Sequence, residues 1–273
     1  MVQLAHELKA EELPPLVQLK VVKEGSPRQG VDYFDLRPDQ IVFDTPCAIA
    51  RVFRSTAQTQ TWTISAAGSS DANARPLTFR WVLLQGSADR VKIEPSKENG
   101  AEATLTIQWP ERFPLEPNSK MESNRVDIGV FANNGASVSA PAFVSFYFPD
   151  SETRKYDAKG QLESVEYRPQ SAGGNYADPA VYTAREWRDE YHRDASGKLK
   201  GWTRTRKTGS EDFNSEGMLI LEKDSLGRAK KARAVRYMAS GKPNSQPILE
   251  TQPTGDELNY QYDSDTDFIG KKK

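Results

Sequence analysis

The sequence predicts an all-β protein, and three observations lead to this prediction. Short apolar runs that alternate with polar residues recur along the 273 residues, and Gly, Pro, Asn and Asp separate them. The mean hydropathy is low, which fits a thin core with much surface. Aromatic residues at 10% and apolar residues at 37% argue against disorder. We expect a β-sandwich followed by a sheet of antiparallel hairpins.

Residues 1–25 are predicted to be a leader, or linker, that contains a short helix and a strand. A helix-compatible run over residues 5–13 ends at Pro14 and Pro15, and the alternating run LVQLKVV follows. The polar N-terminal residues lack the apolar segment of a signal peptide. Either the protein is cytosolic, or the chain begins inside a longer exported protein whose signal peptide lies upstream. We expect the second, because extended sequence starts almost at once and the β-rich composition is typical of exported modules.

Residues 26–150 are predicted to form the sandwich. Eight short strand-like runs lie between turn signals, and the Asn133-Asn134-Gly135 triplet is typical of a hairpin. Alternation in LTFRWVL places its apolar side chains on one face, with Trp81 in the middle. The predicted core around Trp81 comprises Ile64, Leu77, Phe79, Leu83 and Val130.

Residues 151–273 are predicted to form antiparallel hairpins with a charged C-terminal tail. An Asp-x-x-Gly pattern occurs three times, at residues 157–160, 194–197 and 224–227. Asp opens a turn through its side chain, and Gly adopts the positive φ at which the turn closes. We also expect the basic run 230–236 to pair with the acidic segment 257–263.

The run SAAGSSDANARPLTFRW at residues 65–81 resembles the GSSDxDGxPLTYxW segment of PKD-type Ig-like domains. The resemblance extends over residues 40–150 when the later strands are included, although VLLQG stands where the family often has DFGDG. It implies an extracellular spacer, adhesion or substrate-docking module of the kind attached to bacterial enzymes. YDAKGQLESV at residues 156–165 is similar to the YD repeats of RHS-type proteins, as a local hairpin.

The sequence argues against catalysis. Cys47 is the only cysteine, and His6 and His192 are the only histidines, so no internal disulfide or multi-thiolate metal site is possible. A Cys47–His192 pair would join two different predicted domains and would lack a third, orienting group. With 38 acidic residues, pairs of carboxylates at a given spacing carry no information. We expect no enzyme activity.

Two candidate ligand sites remain. Asp71 and Asn73 follow two serines in a turn, and these oxygen donors suit Ca²⁺; the alternative is ordinary turn chemistry. The alternating acids at residues 263–267 invite the same two interpretations. Trp187, Tyr191 and Trp202 surround the second Asp-x-x-Gly turn, where exposed rings would stack on sugars; the alternative is cross-strand packing. Apart from Ca²⁺ at the turn, no cofactor is expected.

Other partners are constrained by charge and hydropathy. Residues 198–236 carry eleven basic and five acidic residues, and residues 250–267 carry six acidic residues and no basic one. If these segments are neighbours, the charges compensate each other, so we expect no nucleic-acid partner. No run approaches the roughly 20 apolar residues of a membrane span, so no membrane insertion is expected.

These observations predict a non-catalytic structural or binding accessory module of a larger exported bacterial protein, outside the cell, in the periplasm or at the cell surface. Its expected partners are a polysaccharide or other domains of the parent protein. The alternative function is a carbohydrate-binding module attached to a polysaccharide-degrading enzyme. An aromatic strip on an exposed face would favour that alternative, and a deep pocket with converging acids would favour an enzyme.

Overall fold

The computed structural model describes residues 9–37, 39–96, 98–168, 175–241 and 247–273, and these residues form strands and one short 3-10 helix at Ala10–Glu12. The prediction of an all-β protein is confirmed. The first part of the chain contributes eleven strands. They are β1 (Lys20–Lys23), β2 (Ile41–Thr45), β3 (Ala48–Val52), β4 (Thr59–Ser65), β5 (Thr78–Gln85), β6 (Val91–Pro95), β7 (Glu102–Gln108), β8 (Phe113–Pro114), β9 (Glu122–Ser123), β10 (Val126–Asn133) and β11 (Ala142–Tyr147).

The first eleven strands, apart from the small β8–β9 ribbon, form two sheets that share a core. One sheet has the order β1-β4-β7-β6 and the other β2-β3-β11-β10-β5. All pairings are antiparallel except that of β3 with β11. Trp62 is 1% exposed, and its ring lies 4.4 Å from that of Phe146, across the space between the sheets.

Trp81 belongs to this core, as predicted, together with Ile64 and Val130. Its Nε1 donates to the carbonyl of Gly100 at 2.8 Å, because a buried indole N–H needs an acceptor. The three other predicted core residues of this strand region, Leu77, Phe79 and Leu83, are only partly buried. Trp62, which is more deeply buried than Trp81, occupies the centre that the sequence pattern assigned to Trp81.

The segment expected to be a leader is part of the sandwich. Strand β1 pairs with β4, and Val17 and Leu19 are buried in the shared core. The 3-10 helix at Ala10–Glu12 is all that the structure contains of the expected helix, whose first residues lie outside the described ranges.

The second part of the chain forms one nine-stranded antiparallel sheet in which neighbours in sequence are neighbours in space. Tight turns join β12 to β13 and connect each consecutive pair from β14 to β18, so local turn chemistry sets the register there, whereas residues 168–186 connect β13 to β14. Its strands are β12 (Glu152–Tyr156), β13 (Leu162–Tyr167), β14 (Trp187–Arg193), β15 (Leu199–Arg206), β16 (Gly209–Asn214), β17 (Leu219–Lys223), β18 (Ala229–Ser240), β19 (Ile248–Gln261) and β20 (Lys271–Lys272).

The three predicted Asp-x-x-Gly hairpin tips are confirmed. The N–H of each glycine donates to the carbonyl of its aspartate at 3.0 Å, and φ is +73°, +86° and +78° at Gly160, Gly197 and Gly227. The carboxylate of each aspartate accepts two backbone N–H groups of its own turn. The aspartate side chain therefore accepts hydrogen bonds from backbone N–H groups that the tight turn leaves without a backbone acceptor.

A fourth turn of the same kind joins β16 to β17. Asn214 accepts the N–H groups of Glu216 and Met218, each at 3.0 Å, and Gly217 takes φ +82°. The Asp-x-x-Gly pattern does not include this turn because Asn stands in place of Asp. The Asn-x-x-Gly spacing was the signal that would have revealed it.

The predicted pairing of the basic run with the acidic segment is also confirmed. Strand β18 pairs with β19, and Arg233 lies opposite Glu257, with 3.2 Å between the guanidinium and the carboxylate. Lys231 lies within 4.0 Å of the same carboxylate. The positive charge of β18 is therefore partly compensated inside the sheet.

The turn at Gly217 offers a matched test of close packing. A methyl group at Gly217 would lie 2.4 Å from the carbonyl oxygen of Gly30, whereas one at Gly227 would meet nothing within 4 Å. Both glycines have similar positive φ values, so alanine costs about 1–2 kcal/mol at either turn through backbone strain alone. We expect Gly217→Ala to cost a further 1–3 kcal/mol or so through the clash. Urea unfolding of the two variants measures the difference, and equal costs would contradict the contact with Gly30.

Candidate binding cavity at the junction of the two halves

The segment 28–36, expected to belong to the sandwich, covers the inner face of the nine-stranded sheet. Its central residue, Phe34, is fully buried. The ring centroid of Phe34 lies 5.1 to 6.3 Å from those of Tyr167, Trp187, Trp202 and Tyr237. One side chain thus completes an aromatic core to which four strands contribute, because a single sheet cannot bury its own apolar face.

A chain of buried ion pairs runs beside this contact. Arg54 contacts Asp35 at 3.2 Å, and Asp35 contacts Arg185 at 3.2 Å. Arg185 contacts Glu152 at 3.0 Å, and Glu152 contacts Arg154 at 2.7 Å. Every side chain in the chain is at most 5% exposed. Arg54 follows the sandwich strand β3, and Asp35 belongs to segment 28–36. Glu152 and Arg154 belong to β12, and Arg185 precedes β14, so the ion pairs join the two halves.

The ion-pair chain carries more positive than negative charge, with three guanidinium groups for two carboxylates. Burial lowers the pKa of Arg54, and the nearby Arg185 adds to that effect, while Asp35 opposes it. Arg154 stacks on Trp109, with 3.6 Å between the guanidinium carbon and the ring centroid. It also donates to the carbonyl of Ser55 in the sandwich. The hydrogen bond to Ser55 and the aromatic face of Trp109 thus stabilise the one positive charge that the two carboxylates do not match.

The three aromatic residues predicted to bind sugar lie inside this core. Trp187, Tyr191 and Trp202 are 4%, 8% and 0% exposed. Trp202 stacks on Phe213 at 5.2 Å, and the Arg204 guanidinium lies 4.0 Å from the Trp187 ring. The exposed arrangement that sugar stacking needs is therefore not found. The alternative, cross-strand packing, is found instead, because Tyr191 lies opposite Trp202 and Trp202 lies opposite Phe213. Alternation places them on one face correctly, but segment 28–36 covers that face.

A cavity of about 770 Å³ lies at the junction, next to the ion-pair chain. Tyr176 and Trp109 form part of its wall, and Arg112 lies over the Tyr176 ring at 4.8 Å. The cavity is lined by four arginines, at positions 90, 112, 154 and 168, and by three acids, at positions 111, 150 and 152. Clefts of this size between packed units are the usual place for a small-molecule site.

Two oxygen atoms of residues at the cavity wall are fully buried. They are Oδ1 of Asp150, whose side chain is 2% exposed, and Oγ of Ser151, which is 6% exposed. The hydroxyl of Tyr182 is also buried and interacts with both side chains. Burial raises the pKa of Tyr182, hydrogen bonding to Asp150 adds to the rise, and hydrogen bonding to Ser151 opposes it. The three groups therefore interact with one another behind the cavity wall.

The arginines at the cavity differ in how firmly they are held. Arg112 donates to the backbone carbonyl and to Oδ2 of Asp150, at 3.0 and 2.9 Å. Among the described residues, the guanidinium groups of Arg90 and Arg168 pair with the exposed carboxylates of Asp89 and Glu166, and such surface pairs contribute little. These two guanidinium groups are therefore available to a ligand at small cost.

At the predicted calcium site, Asp71 and Asn73 make turn contacts. Both carboxylate oxygens of Asp71 bind Arg75, and the Arg75 guanidinium holds the pKa of Asp71 well below its usual range. The Asn73 amide donates to the carbonyl of Ala10 at 2.8 Å. Within the described ranges, no three His, Cys, Asp or Glu side chains are placed to share a metal ion. The sequence contained this partner, because Arg75 follows Asp71 by four residues.

The remaining candidate residues are separated. Asp267 accepts the N–H groups of Ile269 and Gly270, and Asp263 contacts Lys271, so the acidic tail is engaged in a turn. Cys47 is exposed in the β2–β3 turn, whereas His192 bonds Thr203 on the polar face of the other sheet at 2.8 Å.

The five-stranded sheet of the sandwich exposes large apolar side chains that the sequence pattern does not single out. Phe43, Leu84 and Phe143 are 54%, 49% and 42% exposed, on β2, β5 and β11. In the described ranges, no helix has both the length and the apolar character that crossing a membrane requires.

No protein-family model matches this sequence, and no curated protein is similar to it. Among solved structures, the chain is similar to a nucleoside hydrolase-related hypothetical protein from Saccharophagus degradans that is associated with carbohydrate metabolism. The identity is 15%, over 50% of this chain and 26% of the other, with a TM-score of 0.28. The chain thus spans about a quarter of the length of that protein, and a likeness this low carries no argument.

Proposed function

We propose that this chain is a non-catalytic accessory module of a larger exported bacterial protein, in which the two halves act as one rigid body. The buried ion-pair chain Arg54–Asp35–Arg185–Glu152–Arg154 is the observation that carries the proposal. Breaking it would leave charges buried without partners, which is strongly unfavourable. Such a module would hold its neighbours in the parent protein at a set distance and orientation.

The strand order supports an Ig-like, PKD-type assignment for the sandwich. The sheet β1-β4-β7-β6 matches the A-B-E-D order of Ig domains, and β11-β10-β5 matches G-F-C. Trp81 lies on β5, the equivalent of strand C, where Ig domains bury a tryptophan. The PKD resemblance of residues 65–81 points to the same class. Modules of that class serve as spacers and docking units.

The state of the cavity acids supports the absence of catalysis. Asp150 is paired with Arg112, and Glu152 is paired with two arginines of the ion-pair chain, so both side chains are already engaged in ion pairs. A general acid would need an environment that favours its protonated form. Glu111 is the remaining acid of the cavity wall.

Unfolding of the full chain tests the rigid-body proposal. We expect the sandwich and the nine-stranded sheet to lose amide protection in one transition at the same urea concentration, because neither buries its charges alone. Hydrogen exchange resolved by segment, with β4–β7 and β14–β16 as reporters, measures this. Two separate transitions would overturn the proposal. Turnover of a glycoside, ester or nucleotide that Glu111→Gln abolishes would overturn its non-catalytic part.

Carbohydrate binding is a second candidate function, favoured by the cavity. The rings of Trp109 and Tyr176 line the cavity, and a sugar can pack the apolar face of its ring against such side chains. The candidate sugar site is therefore this cavity and not the buried residues Trp187, Tyr191 and Trp202.

A further inference from the structure

We propose that two arginine-bearing turns act as clasps that fix the paths of the chain's two end segments, and with them the directions in which neighbouring parts of the parent protein are attached. The turns comprise residues 71–75 and 224–228. Each arginine donates to main-chain carbonyls of a segment near one end of the described chain. This inference rests on the proposed function, because a module that sets the orientation of its neighbours must also hold its own end segments.

Both clasps are turns of the kind that closes the hairpins of the nine-stranded sheet, and the second one joins β17 to β18. In the first, Asp71 accepts the N–H groups of Asn73 and Arg75, each at 3.0 Å, as the hairpin aspartates do within their own turns. Ala74 stands where those turns have glycine, and its φ is +56°. Alanine rarely adopts a positive φ, so the contacts around this turn must hold it in place.

An arginine at the fifth position distinguishes the two clasps from the other turns of this kind. The fifth residue of those turns is Gln161, Lys198 or Met218. In each clasp, the aspartate at the first position binds the guanidinium of the arginine, at 3.0 Å for Arg75 and 2.8 Å for Arg228. A guanidinium carries five N–H donors in one rigid plane, so the donors that the aspartate leaves over point in a set direction. A lysine ammonium lacks this geometry.

The first clasp holds the segment 10–13, which precedes the first strand of the sandwich. Arg75 donates to two carbonyls of this segment, at 2.9 and 3.3 Å. Asn73 and Ser137 donate to the other two, at 2.8 and 3.5 Å. Four consecutive carbonyls are therefore bound by side chains of the sandwich. Because the side chains of the segment itself are exposed, these hydrogen bonds and not apolar packing hold it.

The second clasp holds the segment that follows strand β19. Arg228 donates to the carbonyls of Ser264 and Asp267, at 2.7 and 3.1 Å. Its guanidinium carbon also lies 4.1 Å from the centroid of the Tyr262 ring, and the Tyr262 hydroxyl donates to the carbonyl of Ala229 at 2.8 Å. This end segment thus contacts the clasp through its backbone and through an aromatic side chain.

The clasps extend the rigidity of the junction between the halves to the end segments. A free linker lets an attached neighbour take many orientations. A segment bound at two or more carbonyls by an arginine that is itself fixed by an ion pair follows one path along the surface. A neighbour attached through such a segment inherits that direction.

Limited proteolysis of the full chain under native conditions tests both clasps. Endoproteinase Glu-C must bind the carbonyl of Glu11 to cleave after that residue, and endoproteinase Asp-N must bind the carbonyl of Ser264 to cleave before Asp265. The arginines of the clasps occupy both carbonyls. We expect Arg75→Gln to speed cleavage after Glu11, and Arg228→Gln to speed cleavage after Ser264, each about tenfold or more. Mass spectrometry identifies the bond that is cut.

The matched controls are Arg80→Gln and Arg236→Gln. Both arginines are exposed and lie outside the clasps, on β5 and β18. Their substitution removes the same charge, and cleavage at the two bonds should stay within about twofold of the rate for the unmodified chain.

A distance measurement tests the directional claim. One spin label is placed on Cys47, which is exposed in the β2–β3 turn, and the other on the exposed position changed by Ala10→Cys. We expect double electron–electron resonance to give one narrow distance distribution, because the first clasp holds the segment that carries the second label. The distribution should broaden in Arg75→Gln and stay narrow in Arg80→Gln.

Three results would contradict the inference. They are cleavage rates that the clasp variants leave unchanged, a distance distribution that stays narrow in Arg75→Gln, and cleavage that accelerates equally at bonds inside the strands. In the third case the arginine would hold the whole fold and not an end segment. The rigid-body proposal has its own test in the unfolding of the two halves, so either proposal can fail while the other stands.

Discussion

Replacing Asp35 with asparagine is expected to destabilise the protein by about 3–5 kcal/mol. Asp35 accepts from Arg54 at 3.2 Å and from Arg185 at 3.2 Å, and its Oδ1 also accepts the N–H of Thr183 at 2.9 Å. Asparagine keeps the shape but removes the charge, and its amide N–H₂ would face a guanidinium. Two arginines that are 1–2% exposed would then lose their shared carboxylate.

The matched control for this substitution is Asp44→Asn. Asp44 also contacts a buried arginine, Arg51, at 3.1 Å, but its own side chain is 49% exposed and Arg51 keeps Glu24 as a partner. We expect a cost below about 1 kcal/mol. Urea unfolding of both variants gives the comparison. Similar costs for the two substitutions would contradict the view that burial of the ion-pair chain makes it essential.

Replacing Phe34 with alanine is expected to cost about 3–5 kcal/mol and to loosen the nine-stranded sheet. Phe34 is fully buried and contacts the rings of Tyr167, Trp187, Trp202 and Tyr237. Removal of the ring leaves a cavity at the centre of that aromatic core. Water that reaches Trp187 and Trp202 should shift tryptophan fluorescence to longer wavelength and make the residual emission accessible to acrylamide.

Phe43→Ala is the control for the loss of a phenyl ring. Its side chain is 54% exposed on β2, so the substitution creates no buried cavity. It should change the free energy of unfolding by less than about 1 kcal/mol. Fluorescence should stay unchanged in this variant. If Phe34→Ala behaves like Phe43→Ala, segment 28–36 does not hold the sheet in the way that its contacts indicate.

Several features followed from short stretches of sequence. The Asp-x-x-Gly turns were predictable because an aspartate side chain and a positive-φ glycine close a turn with groups only a few residues apart. Trp81 was predictable as a buried residue because alternation in one strand sorts inner from outer side chains. The pairing of β18 with β19 followed from opposite charges on the two segments, although their exact register did not.

The candidate site did not follow in this way. Arg90, Arg112, Asp150 and Arg168 belong to separate segments, and no local pattern relates them. The Asp71 turn differs from the cavity, because its ion-pair partner, Arg75, is close in sequence. The sequence alone nevertheless left calcium binding as an alternative to that ion pair. Choosing between the two required the contact geometry, since a carboxylate bound by a guanidinium offers little to a cation.

The sequence by itself determined the all-β class, the turn positions and the alternation of inner and outer side chains. These depend on interactions within a turn or a strand, which a few neighbouring residues specify. Only the tertiary structure decided that Trp187, Tyr191 and Trp202 are covered, because the covering residue, Phe34, lies far away in the chain. It likewise decided that three arginines and two carboxylates meet as a buried chain between the halves. These side chains are buried because segments that are distant in the sequence pack against one another. Their burial makes the ion pairs costly to break, and this is why the junction between the halves is expected to be rigid.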